Sequence, residues 1–217
     1  MRFVFINRFY WPEEPATAQL LTDLAQALAA EGHEIAVITS RPGTGAPRRE
    51  THSGVQIIRV RSTRWARRGL AGKAVDFASF YFGALLTLFR TARSGDVVVA
   101  LTDPPLIGIG AWLVARLRSA KLVHWIQDIY PEIAVALTGN AWLGIVAPLR
   151  NLAWRRAEAC VTLGTDMAGL IRAAGVKAHQ LTVIPNWGPS GLKPQPTSVA
   201  AALRDEWGLA GKFVVLY

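Results

Sequence analysis

Apolar residues in this chain occur in two kinds of stretch. The first kind is a short run with almost no polar interruption: residues 2–6 (RFVFI), 34–39 (EIAVIT), 55–60, 96–101, 121–126 (KLVHWI), 159–163 and 181–184. Unbroken apolar runs of this length predict strands covered on both faces, the pattern of a parallel sheet. The second kind has apolar residues three or four apart. Leu20, Leu21, Leu24 and Leu28 predict a helix over 19–30, with Gly32 suited to the position just past its end. Further helices are predicted from about Lys73 to Ala92, from the Pro104-Pro105 turn to about Leu117, from a start near Pro131, and over 144–156 and 165–174. The first of these, from about Lys73 to Ala92, is apolar nearly all round. Residues 41–53, rich in Gly, Pro and Arg, read as a loop. Strands alternating with helices predict an α/β fold, a mostly parallel sheet with helices on both faces. The opening strand–loop–helix–strand is a right-handed βαβ unit.

The pattern changes at Pro185. NWGPSGLKPQPT has the proline, glycine and polar content of a linker. A short helix over 199–207 and a new strand over 213–217 follow. The expectation is one domain over 1–185, then a linker and the first elements of a truncated second domain over 186–217.

Candidate chemistry collects where predicted strands end. In an open α/β sheet, ligands bind in the crevice beyond the carboxyl ends of the strands. The strand at 121–126 ends in Gln127, Asp128, Tyr130 and Glu132, and the one at 96–101 ends in Thr102 and Asp103. Asp128 is the first candidate for catalysis. The alternative is that it caps the helix near Pro131, since Asp ahead of a proline at the first helical position is good capping chemistry. Gly108-Ile109-Gly110 approaches a dinucleotide fingerprint, with Asp128 about 20 residues on. Its third glycine position is Leu113, so the glycines read better as points of close helix packing. No P-loop, HExxH or GxSxG occurs. His33, His52, His124 and His179 show no metal spacing, and His124 lies within a strand. The single cysteine, Cys160, sits in an apolar run and reads as packing.

Charge adds a partner class. A net charge of +9 and a pI near 10.4 suit nucleic acid, anionic lipid or phosphorylated ligands. Met1 to Ile6 runs straight into Asn7 and Arg8, unlike a secretory signal. The longest uncharged helical stretch, 77–89, is shorter than the ~20 residues of a membrane span. Arginines concentrate between Arg59 and Lys73 around Trp65. They read as a solvated basic loop, or as a membrane-surface patch using Arg64, Trp65, Arg67 and Arg68. Nucleic-acid binding is disfavoured, because the aromatics lack a spacing for base stacking.

FINRFYWPEEPATAQLLTDLAQALAAEGHEIAVITSRP, then ALTDPP, HWIQDIYPE and VIPNW, in that order, resemble the N-terminal domain of family-4, GT-B-fold glycosyltransferases of the polysaccharide, O-antigen and colanic-acid type. The resemblance covers nearly the whole chain. It implies the acceptor half of a retaining enzyme that needs no bound metal and no cofactor. Such an enzyme moves a sugar from a nucleotide-sugar to a lipid-linked saccharide at the inner face of the plasma membrane. The family's donor half carries a Glu-x7-Glu motif, which this sequence lacks, so the chain alone is expected to be inactive. By resemblance, Tyr10, Pro12, Glu13, Pro15, Ala16 and Thr17 belong to a loop near the donor diphosphate, with Pro15-Ala16 where many relatives have Gly-Gly. Thr102 and Asp103 line the cleft, and Gln127-Asp128 stands where many relatives have His-Asp. Asn186 enters the interdomain linker. The alternatives are a non-catalytic Rossmann-like scaffold module and an NAD-dependent enzyme.

Overall fold

A computed structural model describes residues 1–42, 45–63, 65, 69–188 and 193–215, without the side chains of 70, 71 and 73. The chain divides into two compact units, Met1–Asn186 and Trp187–Tyr217. The first unit is built on strands β1 (Arg2–Ile6), β2 (Glu34–Ser40), β3 (Arg49–His52), β4 (Val55–Val60), β5 (Val97–Ala100), β6 (Lys121–Ile126), β7 (Ala159–Thr162) and β8 (Leu181–Val183). They form one sheet in the order β3-β4-β2-β1-β5-β6-β7-β8, parallel except for β3, which runs antiparallel to β4. The fold expected from the apolar runs is the one observed.

Successive side chains of a strand point to opposite faces, and both faces here are apolar. Val4, Ile6, Ile38, Ile58, Val98 and Ile126 face one layer, packing with Phe80, Ala84 and Leu88 of helix α2 (Leu70–Thr91). Ile107, Ala111 and Val114 of α3 (Ile107–Leu117) and Trp154 of α5 (Ala147–Arg155) complete that side. Phe5, Val37, Ile57 and Val99 face the other way, towards Leu20, Leu21 and Ala25 of α1 (Ala16–Ala30). α4 (Glu132–Thr138) and a 3-10 turn (Ala141–Val146) precede α5, so the single helix predicted from residue 144 begins with a separate turn. α6 (Thr165–Ala173) links β7 to β8.

Three differences from the sequence reading have physical causes. β3 lies inside the predicted loop: its four residues, RETH, carry no apolar signal because it is a charged sheet edge. Arg59, counted with the solvated arginines, is fully buried on β4. It donates to Glu50 Oε1 at 2.6 Å and to the Trp11 and Pro47 carbonyls at 3.2 Å, tying the loop after β1 to the β3 edge. In the second unit α7 (Thr197–Glu206) forms, but residues 213–215 of the predicted last strand are not in a strand. Phe213 is almost fully exposed there.

The two glycines of the near-fingerprint are packing residues. A Cβ on Gly108 would lie 2.5 Å from His124 Cε1, and one on Gly110 would lie 2.4 Å from Leu85 Cδ1. α3 therefore settles onto β6 at one glycine and against α2 at the other. The buried His124 ring under Gly108 has no hydrogen-bond partner at Nε2 among the described residues. Burial pushes its pKa down to about 4, against a weaker opposing effect of the Ala153 backbone, so it is a neutral core imidazole.

Gly108→Ala is expected to cost about 1–3 kcal/mol, the usual range for overpacking. In a His124→Ala background the loss should shrink, because the ring that the new methyl strikes is gone. Equal losses in both backgrounds, measured by denaturant melts, would refute the close-approach account. His124 also imposes a pH dependence. Its pKa is about 4 in the folded chain against an ordinary 6.5, so between these the unfolded state holds more protons. Stability is therefore complete above pH 6.5 and falls by about 3 kcal/mol as pH drops to 4. Thermal melts of wild type and His124→Gln across this range should converge at the acid end, and parallel curves would contradict the buried neutral imidazole.

Candidate active site at the carboxyl edge of the sheet

Strand order reverses between β1 and β5. The chain leaves β1 towards β2 on one side, and β5 continues to β6 on the other, so the loops after β1 and β5 part and open a crevice. The two loops are nevertheless bonded at its base. Arg8 N donates to the Asp103 carbonyl at 2.8 Å, and the Arg8 carbonyl accepts from Ser40 N and Thr39 Oγ1, both at 2.9 Å. The Arg8 guanidinium lies over the rings of Phe9 (5.1 Å) and Phe77 (4.8 Å).

The end of β6 brings Gln127 and Asp128 beside the end of β5. Gln127 N donates to Thr102 Oγ1 at 3.3 Å, and Gln127 Oε1 accepts from Asn186 Nδ2 at 3.1 Å. Residues predicted from three separate motifs are thus joined in one chain of hydrogen bonds. Asp128 and Tyr130 border a pocket whose lining includes Leu101, Leu106 and His124, with Arg150 and Trp154 among its other residues. The guanidinium of Arg150 stacks on the Trp154 ring at 4.0 Å. Leu106 lines the pocket in the left-handed backbone region (φ 66°), which a leucine rarely adopts.

Asp128 is not a helix cap. The capping position of α4 is Pro131, and no side chain makes a cap hydrogen bond there. Asp128 instead borders the pocket. Partial burial raises its pKa. Asp103 is raised too, by burial first, with Arg8 opposing and Asp128 reinforcing. Burial raises the Tyr130 phenol, and the charges of Asp128 and Asp103 add to it. Tyr81 of α2 responds to burial and then to Asp103 in the same direction. Two carboxylates, two phenols and one stacked guanidinium therefore share a single electrostatic environment. A neighbouring positive charge that develops during a reaction would be stabilised by both acids.

Other predicted residues are placed differently. Glu132 is turned to structural use: Arg150 grips it with Nη1 to Oε2 at 2.6 Å and Nη2 to Oε1 at 2.8 Å, and donates to the Tyr130 carbonyl at 2.5 Å. Burial alone would raise the Glu132 pKa, but these bonds outweigh it and lower it. Tyr10 is buried in the core against α1, so its ring does not reach the crevice. Pro15 caps α1 with its carbonyl, which accepts from Ala18 N and Gln19 N, and Ala16 and Thr17 head the helix. Their backbone N–H groups lack a carbonyl one turn back, the usual setting for an anion. Trp65 is half-exposed, and its backbone N–H donates to Oδ1 of the buried Asp76 at 2.8 Å. Arg64, Arg67 and Arg68 lie outside the described residues. Arg8, Tyr81, Arg150 and Trp154 were not singled out from sequence. Only Arg8 carried a signal, its position two residues past the end of the first strand. Among the described residues no three His, Cys, Asp or Glu side chains are grouped to hold a metal ion.

Comparison with known proteins gives these features a family. Over 133 residues, 59% of this chain, the sequence is 29% identical to "Probable glycosyltransferase WbjE" of Pseudomonas aeruginosa, of which that stretch is 32%. Among solved structures, sucrose-phosphate synthase from Thermosynechococcus elongatus superposes with a TM-score of 0.68 at 13% identity, covering 94% of this chain and 52% of that one. Anabaena Alr3699/HepE in complex with UDP-glucose gives 0.61 at 17% identity, covering 97% and 50%. The chain thus spans about half the length of these structures and a third of the curated relative. These structures share the Rossmann-like fold. The glycosyl transferase 4-like domain pattern matches residues 17–187, which take in all of the first unit beyond β1 and its loop, and the chain belongs to that family.

Proposed function

We propose that this chain is the acceptor-binding half of a retaining glycosyltransferase. In this reading a sugar moves from a nucleotide-sugar to a lipid-linked saccharide during cell-surface polysaccharide synthesis. The observation that carries it is the placing of Asp128 at the carboxyl end of β6, uncommitted to α4 and sharing its surroundings with Asp103. A structural relative solved with UDP-glucose supports a nucleotide-sugar donor. The donor would be held by residues beyond this chain, facing the same crevice.

The chemistry follows from charge. As the bond from the anomeric carbon to the nucleotide breaks, positive charge builds on the sugar ring. A carboxylate at Asp128 stabilises that charge or orients the acceptor hydroxyl, and Asp103 adds to the negative field. Arg8, fixed between Phe9 and Phe77 at the same edge, supplies a cation for an anionic group of the substrate. The amides heading α1 suit the donor diphosphate. Acceptors carried on a membrane lipid call for an enzyme that docks on a membrane surface, here the cytoplasmic face of the plasma membrane. No helix among the described residues is long and apolar enough to cross a membrane.

Two outcomes are expected. The 217-residue chain by itself, given UDP- and GDP-sugars and polyprenyl-linked acceptors, should show no turnover; a rate on the order of 1 s⁻¹ would contradict the division of labour. In a protein carrying both halves, Asp128→Asn should lower kcat about 10²-fold or more while leaving the melting temperature nearly unchanged. Near-native turnover in that variant would remove Asp128 from the chemistry.

A further inference from the structure

The outer surface of the α2–α3 layer is apolar where a soluble face would be polar. α2 buries Phe80, Ala84 and Leu88 against the sheet. Its opposite side exposes Val75, Phe82 (74%), Leu86 and Phe89 (42%). At 100° per residue these four fall within about 60° of one another, a single stripe along a helix about 33 Å long. α3 packs beside it through Gly110 and Leu85, and adds Leu113 (52% exposed) and Leu117 (63%) one turn apart. Large apolar patches of this kind on a folded chain mark a surface that something covers.

The charges around the stripe indicate what covers it. Between Val75 and Leu117 the acidic residues are Asp76, buried and bonded to Thr63, Asp96, buried against Arg2, and Asp103, in the crevice. The cations Arg90, Arg93, Arg116 and Arg118 cluster where α2 and α3 end, and Arg118 stacks on the Phe89 ring at 5.2 Å. Glu34 comes within 3.9 Å of Arg93, but it is already bonded to Arg2 at 2.7 Å. An apolar stripe bordered by arginines, with no exposed acid of its own, is complementary to the interface of an anionic bilayer. The apolar side chains enter the acyl boundary while the guanidiniums reach lipid phosphates.

We infer that the outward face of α2 and α3 is the membrane-docking surface of this protein, with Phe82, Leu86 and Leu113 seated in the interface of an anionic bilayer. This rests on the membrane-surface part of the proposed function and moves the contact from the arginines around Trp65 to these two helices. The same helix reaches the crevice from behind: Phe77 carries Arg8, and Tyr81 senses Asp103. Docking along α2 therefore brings the crevice to the membrane, where a lipid-linked acceptor resides.

The test is cosedimentation of the 217-residue chain with vesicles of phosphatidylcholine alone or mixed with phosphatidylglycerol. Wild type should prefer the anionic vesicles, and added salt should weaken the preference. Phe82→Ser, Leu86→Ser and Leu113→Ser combined should reduce binding at least tenfold, with the circular dichroism unchanged because all three side chains are exposed. Arg90→Ser with Arg116→Ser should lower binding to anionic vesicles and leave binding to neutral ones unaltered. As a second readout, Phe82→Cys carrying an environment-sensitive dye should shift to the blue on anionic vesicles, with Cys160 buried and unlabelled. Undiminished vesicle binding by the triple variant overturns the assignment while leaving the enzymatic reading intact. So does a solution dimer that the triple substitution dissociates, since a second copy would then be the occupant. Failure of the enzymatic reading has a different signature: a protein carrying both halves binds vesicles through this face but transfers no sugar.

Discussion

The reversal of strand order between β1 and β5 is the constraint on which the site depends. Parallel strands present all their carboxyl ends along one edge, and at the reversal the loops leaving that edge diverge. Arg8 and Asp103 are bonded across the base of the opening, so the two loops are held at a set separation. From there Thr102 reaches Gln127, and Gln127 reaches Asn186. The hydrogen bonds run across the ends of neighbouring strands, and the residues joined are far apart in sequence.

Support for the edge comes from polar groups placed inside the protein. Arg59 lies within the sheet layer, and its bonds to Glu50 and to the Trp11 and Pro47 carbonyls fasten the first loop to the β3 edge. Trp11 stacks on His52 at 3.8 Å on the same side. A buried cation of this kind is costly without a counter-charge, and Glu50 on the charged four-residue β3 supplies one, while Arg59 Nε has no partner among the described residues. On the other side, Arg150 performs the same service for the chain after β6, bonding Glu132 and the Tyr130 carbonyl. Asp128 lies between these supports and, among the described residues, makes no structural bond of this type. A carboxylate left uncommitted beside a clamped loop is available to a ligand.

Close packing fixes the floor. Without side chains at positions 108 and 110, α3 approaches both the His124 ring and Leu85, and the pocket opens directly above that contact. The Gly-x-Gly spacing that resembles a nucleotide-binding signature thus has a steric cause here. The imidazole beneath it is held neutral by burial, so the charge of the site rests on its carboxylates, on Arg8 and on the Glu132-paired Arg150.

Seven of the eight strands, the principal helices of the first unit and the placing of Asp128 and Asp103 at strand ends were legible in the sequence. Apolar periodicity is a local property, and it reports which segments must be covered on both faces. Beyond these local features, the ordered motifs carried the family resemblance. Only the tertiary structure decided which loops meet. Asp128 reads equally as a cap or as a site residue until α4 is seen to begin without it. Arg59 reads as surface charge until its partners arrive from Glu50 and Trp11, and Tyr10 reads as a cleft residue until α1 covers it. β3 stayed hidden because an exposed edge needs no apolar residue. In each case the deciding neighbour lies many residues away or on another element, and no local pattern encodes that distance.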